Sequence, residues 1–329
     1  MVKKSLIVLG VVFITAGLLG MSAAAYGADV IKYRFGTASF PGLPTHAATI
    51  KYAEMVKEKS GGNILIEPIQ ERKLGGDKDM IELVGAGAVD MAHCSSAVFD
   101  GFLPDLNALQ MPFLIKDYDS LQKVYLADFT KKLLSGIEKL NLHPLGLVEN
   151  GYRHIGNNVR AVNVPADLKG IKLRVAETKM HQEIFSGLGA IPIPVAYGEI
   201  YTSLKTGVIN GTEINATSAS SEKLMEVIKF FSLTGHFFWP SVGFINKNAW
   251  EKLSPENQKI LEETWREMIP WQIALCKDRD VKALETMKKR GIAVNQADSK
   301  AFMEQSKFIY DKYMKVPAVA EFVKAVQGM

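Results

Sequence analysis

The chain has few cysteines, and their positions would not crosslink a small fold. Only Cys94 and Cys276 occur among 329 residues, and they lie far apart in the sequence. Two such cysteines make no disulfide framework, although an oxidising compartment would permit a single disulfide. We expect two separate buried thiols, and the count excludes a cysteine-rich zinc site.

The sequence also lacks the common signatures of catalysis and cofactor binding. It contains no GxSxG elbow, no HExxH zinc motif, no P-loop and no GxGxxG dinucleotide fingerprint. The six histidines have no metal-ligand spacing, so each is more typical of a surface or a hydrogen-bonded core position. We therefore predict a protein without a cofactor and without a bound metal. Catalysis is disfavoured by these absences but not excluded.

Charge is nearly balanced along the chain, and no basic cluster stands out. The formal net charge is +4 at pH 7, with 39 Lys and Arg against 35 Asp and Glu. Proteins that bind nucleic acid show a basic patch or stripe, which this chain lacks. The composition therefore predicts no nucleic-acid partner.

The first 28 residues have the layout of a secretory signal peptide. Lys3 and Lys4 precede an apolar run that ends at Leu19, and small residues then continue to Ala28. A segment with this order of basic, apolar and small residues is removed on export and is not part of the fold. A retained membrane anchor is the alternative, but the apolar run is short for a span. We expect cleavage after Ala25, Gly27 or Ala28, leaving an exported, soluble protein.

Hydrophobic periodicity alternates between strand and helix patterns in the first half of the chain after this segment. Alternating residues predict strands that begin at Ile31, Ile64 and Val89, and amphipathic segments between them predict helices. This β-α-β-α-β order is typical of a parallel sheet covered by helices. Ligands bind at the carboxyl ends of the strands in such sheets, which points to the loops that contain Phe40 and Ser95.

The same rhythm recurs after a polar segment that begins at Asn150. This segment is rich in Asn and Gly, and we interpret it as the crossing into a second domain. A strand, a helix, the strand IPIPV and a short helix follow, and a last strand runs into a loop of sequence GTEIN. A helix that starts at Pro255, capped by Ser254, is long enough to span both domains, and Pro270 should kink it. The sequence therefore predicts an α/β protein of two domains.

The strand of sequence IKLRVA holds the arginine on which the functional interpretation depends. Ile171, Leu173 and Val175 alternate toward one face, so Arg174 lies on the other face. Arginine pairs bidentately with a carboxylate, and the pair gains strength where water is excluded. Arg174 is thus a candidate clamp for an acidic ligand, whereas a solvated surface arginine is the alternative from the pattern alone.

Several stretches together resemble a known family. They are GGNILIEPIQERKLGGDKDMIELVGAGAVDMA, LQMPFLIKDYDSL, ENGYRHIGNN, and the run from DLKGIKLRV to GEIYTSLKTGVINGTE. With these stretches the chain is similar to the solute-binding subunits of tripartite ATP-independent periplasmic (TRAP) transporters, the DctP-type family. The resemblance implies an α/β two-domain periplasmic binding protein of type II-like fold, with parallel-dominated sheets flanked by helices. It also implies a swapped strand and a long helix that spans both domains.

The resemblance further implies how the chain is divided and what it does. Residues 29–151 with 240–279 would form the first domain, and residues 152–239 with 280–329 the second. A small organic acid would be captured in the cleft between them and delivered to the TRAP permease subunits in the membrane for ion-coupled uptake. The protein is expected to act as a monomer, and the identity of the carboxylate stays open.

Four positions match pocket residues of the family. Arg174 would clamp the ligand carboxylate, and Arg153 in the NGYRH motif would line the same site. Tyr197 occupies an aromatic position that packs on the ligand, and Ser95 falls at another pocket position. The resemblance thus implies an anion site built from both domains.

One departure from the family concerns the GTEIN segment. Many relatives carry an asparagine after the glutamate, and this chain has Ile214 there. Asn215 follows, but adjacent residues of an extended segment point to opposite sides, which makes it a weak substitute. Ile214 therefore suggests a different or more apolar ligand than sialic acid, in agreement with Trp239 in a nearby aromatic segment. Some family members hold a cation beside the ligand, and Glu213 is the candidate for that role.

Three functions are compatible with these observations. The resemblance favours a receptor for a small organic anion that closes by hinge motion. A periplasmic enzyme acting on an acid substrate, with Glu213 as its base, is the second possibility. A sensor that presents the bound ligand to a membrane kinase is the third.

Overall fold

The computed structural model describes residues 30–329. The predicted signal peptide, residues 1–28, lies outside the described residues. Within residues 30–329, no helix combines the length and the apolar character that a membrane span requires. Both cysteines are buried and free, which confirms the expectation of two separate thiols.

Within residues 30–329, ten strands form one sheet, and their order in the sheet differs from their order in the sequence. Eight of them follow the order β2-β1-β3-β9-β4-β7-β5-β6, with β8 and β10 attached at its side. The strands are β1 (Ile31–Gly36), β2 (Ile64–Ile69), β3 (Met91–Ser95), β4 (Leu142–Asn157), β5 (Lys172–Val175), β6 (Ile191–Pro194), β7 (Gly211–Asn215), β8 (Phe230–Leu233), β9 (Phe238–Asn246) and β10 (Ala293–Gln296).

Helices connect most of these strands and cover the sheet. The α-helices are α1 (Pro44–Lys59), α2 (Asp77–Gly85), α3 (Tyr118–Leu126), α4 (Asp128–Leu134), α5 (Lys179–Gly187), α6 (Ile200–Lys205), α7 (Ala216–Ser221), α8 (Lys247–Glu251), α9 (Pro255–Lys289), α10 (Ser299–Gln305), α11 (Lys307–Tyr313) and α12 (Pro317–Gln327).

The first lobe of the molecule is built on β1, β2, β3 and β9. The first three strands pair in parallel and are joined by α1 and α2, so the predicted β-α-β-α-β order is confirmed. Tyr52 and Val56 of α1 and Met80 of α2 are completely buried, as is Phe35 of β1. The apolar stripes of these helices therefore pack on the sheet, as their periodicity predicts.

The longest strand, β4, joins the two halves of the sheet. It pairs with β9 as far as Tyr152 and with β7 from Arg153 onward. The polar segment that begins at Asn150 is therefore part of a strand, although its composition is typical of a loop. The late strand β9 lies antiparallel between β3 and β4, which is the swapped strand that the resemblance implies. The second lobe consists of the parallel strands β5, β6 and β7 together with β8 and β10.

The GTEIN segment is strand β7 and not a loop, which corrects the expectation from the sequence. Its backbone pairs with β4 on one side and with β5 on the other, and all of its residues are buried. Its polar side chains suggested a loop, but Glu213 and Asn215 have polar partners inside the protein. Ser95 likewise ends strand β3, where the sequence suggested a loop.

Helix α9 extends over 35 residues and contacts both lobes. Ser254 caps its first turn by accepting a backbone hydrogen bond, and Pro255 occupies the first helical position, as predicted. The helix continues without interruption through Pro270. It contacts α1, α3 and β4 as well as α7 and β10 of the second lobe, so it connects the two lobes.

Candidate functional site

A cavity of about 450 Å³ lies between the two lobes, and we call it the interlobe cavity. Five residues that the sequence proposed as ligand contacts line it, namely Ser95, Arg153, Arg174, Tyr197 and Trp239. Four other proposed residues are not part of its lining, namely Phe40, Glu213, Ile214 and Asn215. The structure therefore brings the two predicted arginines to one cavity and places the GTEIN residues behind its wall.

Arg174 is buried, yet much of its guanidinium is not engaged by the protein. Its Nε donates to the carbonyl of Val195 at 2.9 Å, and its Nη1 lies 3.7 Å from Oε1 of Glu213. Within residues 30–329 its two terminal nitrogens donate no hydrogen bond. Burial lowers the Arg174 pKa to about 10, with Glu213 acting in the opposite direction, so the group stays charged at neutral pH. Arg174 thus offers a charged, planar pair of donors to the cavity.

Arg153 is held by protein groups instead. Its Nε and Nη2 lie 2.7 and 2.6 Å from Oε2 of Glu213, and Nη2 also donates to the Glu213 carbonyl at 2.8 Å. Its Nη1 donates to Oδ1 of Asn215 at 3.4 Å. The ring of Trp239 covers the guanidinium at 3.9 Å, a distance typical of a cation–π contact. Arg153 therefore forms part of the cavity wall, and its nitrogens already donate to protein groups.

The carboxylate of Glu213 is fully buried and charged. Burial on its own would raise its pKa, but Arg153, His236, His181 and Arg174 lower the pKa to about 2. One carboxylate thus faces two buried arginines. Glu213, Arg153 and Arg174 together carry one uncompensated positive charge, and an anionic ligand at Arg174 would balance it.

Ile214 and Asn215 take the opposite roles to those expected. Alternation along β7 places Glu213 and Asn215 on the same face, toward Arg153 on β4. Ile214 points the other way into an apolar cluster that includes Leu224. Ile214 therefore does not shape the cavity, and the suggestion that it selects a more apolar ligand is wrong. Asn215 instead supplies an amide partner to the arginine.

Ser95 lies at the cavity end of β3 and is tied to a second acidic residue. Its backbone amide donates to Oδ2 of Asp77 at 3.2 Å, and its hydroxyl accepts from the Ala97 amide. Burial raises the pKa of Asp77, whereas the Ser95 amide and Arg72 lower it. Asp77 was missed at the sequence level. Like Ser95, it lines the cavity from the first lobe, whereas Arg174 lies on β5 of the second.

The most prominent residue that sequence reasoning missed is Arg72, which lies in the loop after β2 and lines the cavity. Its guanidinium packs over the rings of Phe40 and Tyr197, so Phe40 belongs to the mouth of the cavity without lining it. The rule that selected the loops after β1 and β3 applies equally to the loop after β2. Applied to the loop after β2, this rule would have pointed to Arg72 as a cavity residue.

Two buried histidines, His181 and His236, lie beside Glu213. Burial lowers the pKa of both, that of His181 to about 4, so both are neutral at pH 7. Among residues 30–329, no group of three or more His, Cys, Asp or Glu is arranged to hold a metal ion. The proposed cation role of Glu213 therefore has no ligand set in the part of the chain that is described.

Comparisons with known proteins agree with this geometry. A family model described as "Bacterial extracellular solute-binding protein, family 7" (DctP) matches residues 35–316. The 2,3-diketo-L-gulonate-binding periplasmic protein YiaO of Escherichia coli is 32% identical over 314 residues, covering 94% of this chain and 95% of that protein. The C4-dicarboxylate-binding periplasmic protein DctP of Rhodobacter capsulatus is 29% identical over 278 residues, covering 84% and 83% of the two chains.

The similar solved structures are also periplasmic solute-binding proteins. A TRAP periplasmic solute-binding protein of Chromohalobacter salexigens with bound D-glucuronate superposes with a TM-score of 0.85 at 28% identity, covering 90% of this chain and 99% of that one. A second, from a Polaromonas species and bound to D-erythronate, has a TM-score of 0.85 at 27% identity, covering 90% and 98%. The members of this family are binding proteins that serve transport, not enzymes. The chain belongs to the DctP family of TRAP solute-binding proteins, which bind organic acids.

Proposed function

We propose that the ligand of this protein is a hydroxylated monocarboxylate of the sugar-acid class, held in the interlobe cavity. Arg174 clamps the carboxylate, while Arg153, Trp239, Tyr197 and Ser95 surround the rest of the molecule. Glu213 and Asn215 act behind the wall by fixing Arg153. The observation that carries the proposal is the free pair of donors on Arg174, a buried cation that faces the cavity.

The charge around the cavity favours one carboxylate over two. Arg72 forms an ion pair with Glu222 at 3.1 Å, and Arg153 holds Glu213 at 2.6 Å. Arg174 lies 3.7 Å from the same Glu213 carboxylate, so the two arginines share one negative charge and one positive charge is left to balance. A second carboxylate would be repelled by the acidic side chain of Asp77, which lines the same cavity. A cavity of about 450 Å³ falls within the usual size range of small-ligand pockets.

The polar lining favours a ligand that carries hydroxyl groups. Hydroxyl, amide and carboxylate side chains contribute to the wall, namely Ser39, Ser95, Ser218, Ser241, Asn150 and Asp77. Similar solved structures contain D-glucuronate, D-galacturonate and D-erythronate, which are all hydroxylated monocarboxylates. Buried polar groups reject a ligand that leaves them without a partner, so such a wall selects for hydroxyls.

Family membership supports a proposal for the wider cellular role. We propose that residues 1–28 direct export, that the mature protein works as a monomer in the periplasm, and that it hands its ligand to TRAP permease subunits. Residues 29–151 with 240–279 would close against residues 152–239 with 280–329 when the ligand binds. Relatives named as periplasmic binding proteins support the location.

A thermal-shift panel tests the ligand class. The panel contains D-glucuronate, D-galacturonate, D-galactonate and D-erythronate, with succinate as the dicarboxylate and D-glucose as the uncharged sugar. A ligand at 100 times its Kd stabilises the native state by about 2.7 kcal/mol, which raises Tm by several degrees. We expect at least one sugar acid to do so, succinate to do less, and glucose to leave Tm unchanged.

Two results would overturn the proposal. A shift of equal size with glucose would show that the carboxylate is not recognised. A larger shift with succinate than with every sugar acid would show that the site prefers two carboxylates, which contradicts the charge argument.

A further inference from the structure

Arg72 occupies an unusual stretch of backbone at the mouth of the interlobe cavity. Glu71 and Arg72 both have positive φ angles, 63° and 57°, a region that side chains other than glycine rarely adopt. Such strain persists only where the surrounding structure fixes it, and it is concentrated at functional positions. The loop is fixed here by a hydrogen bond from the Glu71 amide to the carbonyl of Ser39.

The side chain of Arg72 reaches from the first lobe to the second. Its guanidinium carbon lies 4.5 Å from the ring centre of Phe40 in the first lobe and 4.9 Å from that of Tyr197 in the second. Its Nη2 donates to Oε1 of Glu222, also in the second lobe, at 3.1 Å. Both charged side chains are largely buried, at 23% and 15% exposed. The ion pair is thus more shielded than an ordinary surface pair.

We infer that Arg72 is a positioning residue for ligand retention, which fixes Tyr197 in the cavity wall and fastens the mouth after the lobes close. It does not compete with Arg174 for the carboxylate, because Glu222 already neutralises it. The cation lies between two aromatic faces, a position that suits a planar guanidinium better than a lysine ammonium.

This role predicts a specific kinetic effect. Arg72 contacts Tyr197 and Glu222 only when the two lobes are together, whereas the ligand first meets the open protein. Removal of the contact should therefore raise the ligand dissociation rate and leave the association rate nearly unchanged. A residue that merely supports the fold would instead change thermal stability without this separation of the two rates.

The first experiment measures both rate constants by stopped-flow tryptophan fluorescence with D-glucuronate as the probe. We expect Arg72→Ala to raise the dissociation rate constant on the order of tenfold, Glu222→Gln to raise it less, and Arg72→Lys to fall between Arg72→Ala and the wild type. Arg34→Ala is the matched control, since Arg34 pairs with Asp90 inside the first lobe. Unchanged dissociation in Arg72→Ala, or an equal rise in Arg34→Ala, would overturn the inference.

The second experiment measures the distance between the lobes directly. Nitroxide labels at Lys57→Cys and Lys205→Cys, one exposed site on each lobe, report the distance between the lobes, and the native cysteines are buried and should stay unlabelled. We expect Arg72→Ala to shift the distance distribution toward longer distances. Identical distributions in wild type and Arg72→Ala, with and without D-glucuronate, would reject the role of Arg72.

The inference rests on the proposed function only for the choice of probe, and the two fail differently. If D-glucuronate leaves the melting temperature and the distances of the wild type unchanged, this sugar acid is not a ligand. The rates and distances are then measured with the panel acid that raises Tm most, and those distances decide whether Arg72 fastens the closed lobes.

Discussion

Arg174 and Arg153 are both buried in the same wall of the cavity, yet they differ in what they already hold. Arg153 directs three nitrogens at Glu213 and Asn215, whereas Arg174 donates one hydrogen bond to a backbone carbonyl. A guanidinium that is saturated by protein groups stabilises the fold, and one with free donors binds ligand. The two arginines should therefore respond differently to the same substitution.

Arg174→Ala should weaken ligand binding about a hundredfold or more, because it removes the charged partner of the carboxylate. Arg153→Ala should lower the free energy of unfolding by roughly 3–5 kcal/mol, because it leaves the buried charge of Glu213 without its main partner. Calorimetric titration with the best ligand of the panel and urea unfolding measure the two effects.

Lys172→Ala is the matched control for this pair, since Lys172 lies on the same strand with an exposed side chain. It should change neither quantity appreciably. Unchanged calorimetric binding by Arg174→Ala would remove the clamp from the proposed function.

The two arginines also show what the sequence allows at the scale of residues. Arg174 was predictable, because strict alternation with Leu173 and Val175 placed it on the opposite face of a strand whose other face is core. The loop that carries Arg72 could be selected from its place after β2, but the contact of Arg72 with Glu222 could not, because no period governs a loop residue whose partner is 150 positions away in the sequence. Contacts between loops depend on how the lobes come together, which local pattern does not encode.

At the scale of elements, the bulge where β4 pairs with β9 depends on the buried carboxyl group of Glu149. The register of the two strands shifts between Glu149 and Tyr152, where Asn150 and Gly151 lie opposite Trp239 alone. Oε1 of Glu149 accepts the hydrogen bonds of the Gly151 and Trp239 amides at 2.7 and 2.8 Å. The side chain thus replaces the strand partner that the bulge removes, and it fixes the backbone of Trp239 beside Arg153.

The ionisation of Glu149 gives this bulge a pH dependence. Burial raises the pKa of Glu149 from 4.5 to about 7, although Tyr125 and the two amides lower it. Between these pH values the folded state holds a proton that the unfolded state has lost. Its contribution to the free energy of unfolding is therefore full below pH 4.5, falls as the pH rises to 7, and amounts to roughly 3 kcal/mol.

Glu149→Gln should abolish this dependence, because the amide cannot ionise. Its oxygen can accept both amide hydrogen bonds and its nitrogen can donate to the Tyr125 hydroxyl, as in the protonated acid. In urea unfolding from pH 5 to 8, we expect the variant to gain stability relative to the wild type as the pH rises. Glu149→Ala is the comparison, and it should be destabilised because two buried amides lose their acceptor.

A constant difference in the free energy of unfolding between wild type and Glu149→Gln across this pH range would contradict a raised pKa at Glu149.

Strand β4 was only partly predictable from the sequence. The Asn and Gly residues from Asn150 onward lie where β4 changes its pairing from β9 to β7, but their composition concealed that this segment is a single strand. The polar residues of β7 misled in the same way, since buried polar partners on β4 made a strand of a segment with loop composition.

At the scale of the whole molecule, helix α9 holds the two lobes through one buried aspartate. Asp280 accepts hydrogen bonds from the Tyr118 hydroxyl at 2.7 Å in the first lobe and from the Thr217 hydroxyl at 2.6 Å in the second. It also accepts the backbone amides of Thr217 and Tyr152 at 3.2 and 3.3 Å. The long helix was predictable from its cap and length, but this anchor was not, because each partner comes from a different element.

Asp280→Ala should therefore lower the free energy of unfolding by about 3 kcal/mol, since it leaves buried amides and hydroxyls without an acceptor. Asp278→Ala is the matched control on the same helix, because Asp278 is half exposed and pairs with Lys282 one turn away; it should change stability by less than about 0.5 kcal/mol. Loss of the anchor should also uncouple the lobes, so that unfolding followed by tryptophan fluorescence and by circular dichroism no longer coincides. Coincident transitions in Asp280→Ala, with a stability equal to that of Asp278→Ala, would show that packing of α9 alone unites the lobes.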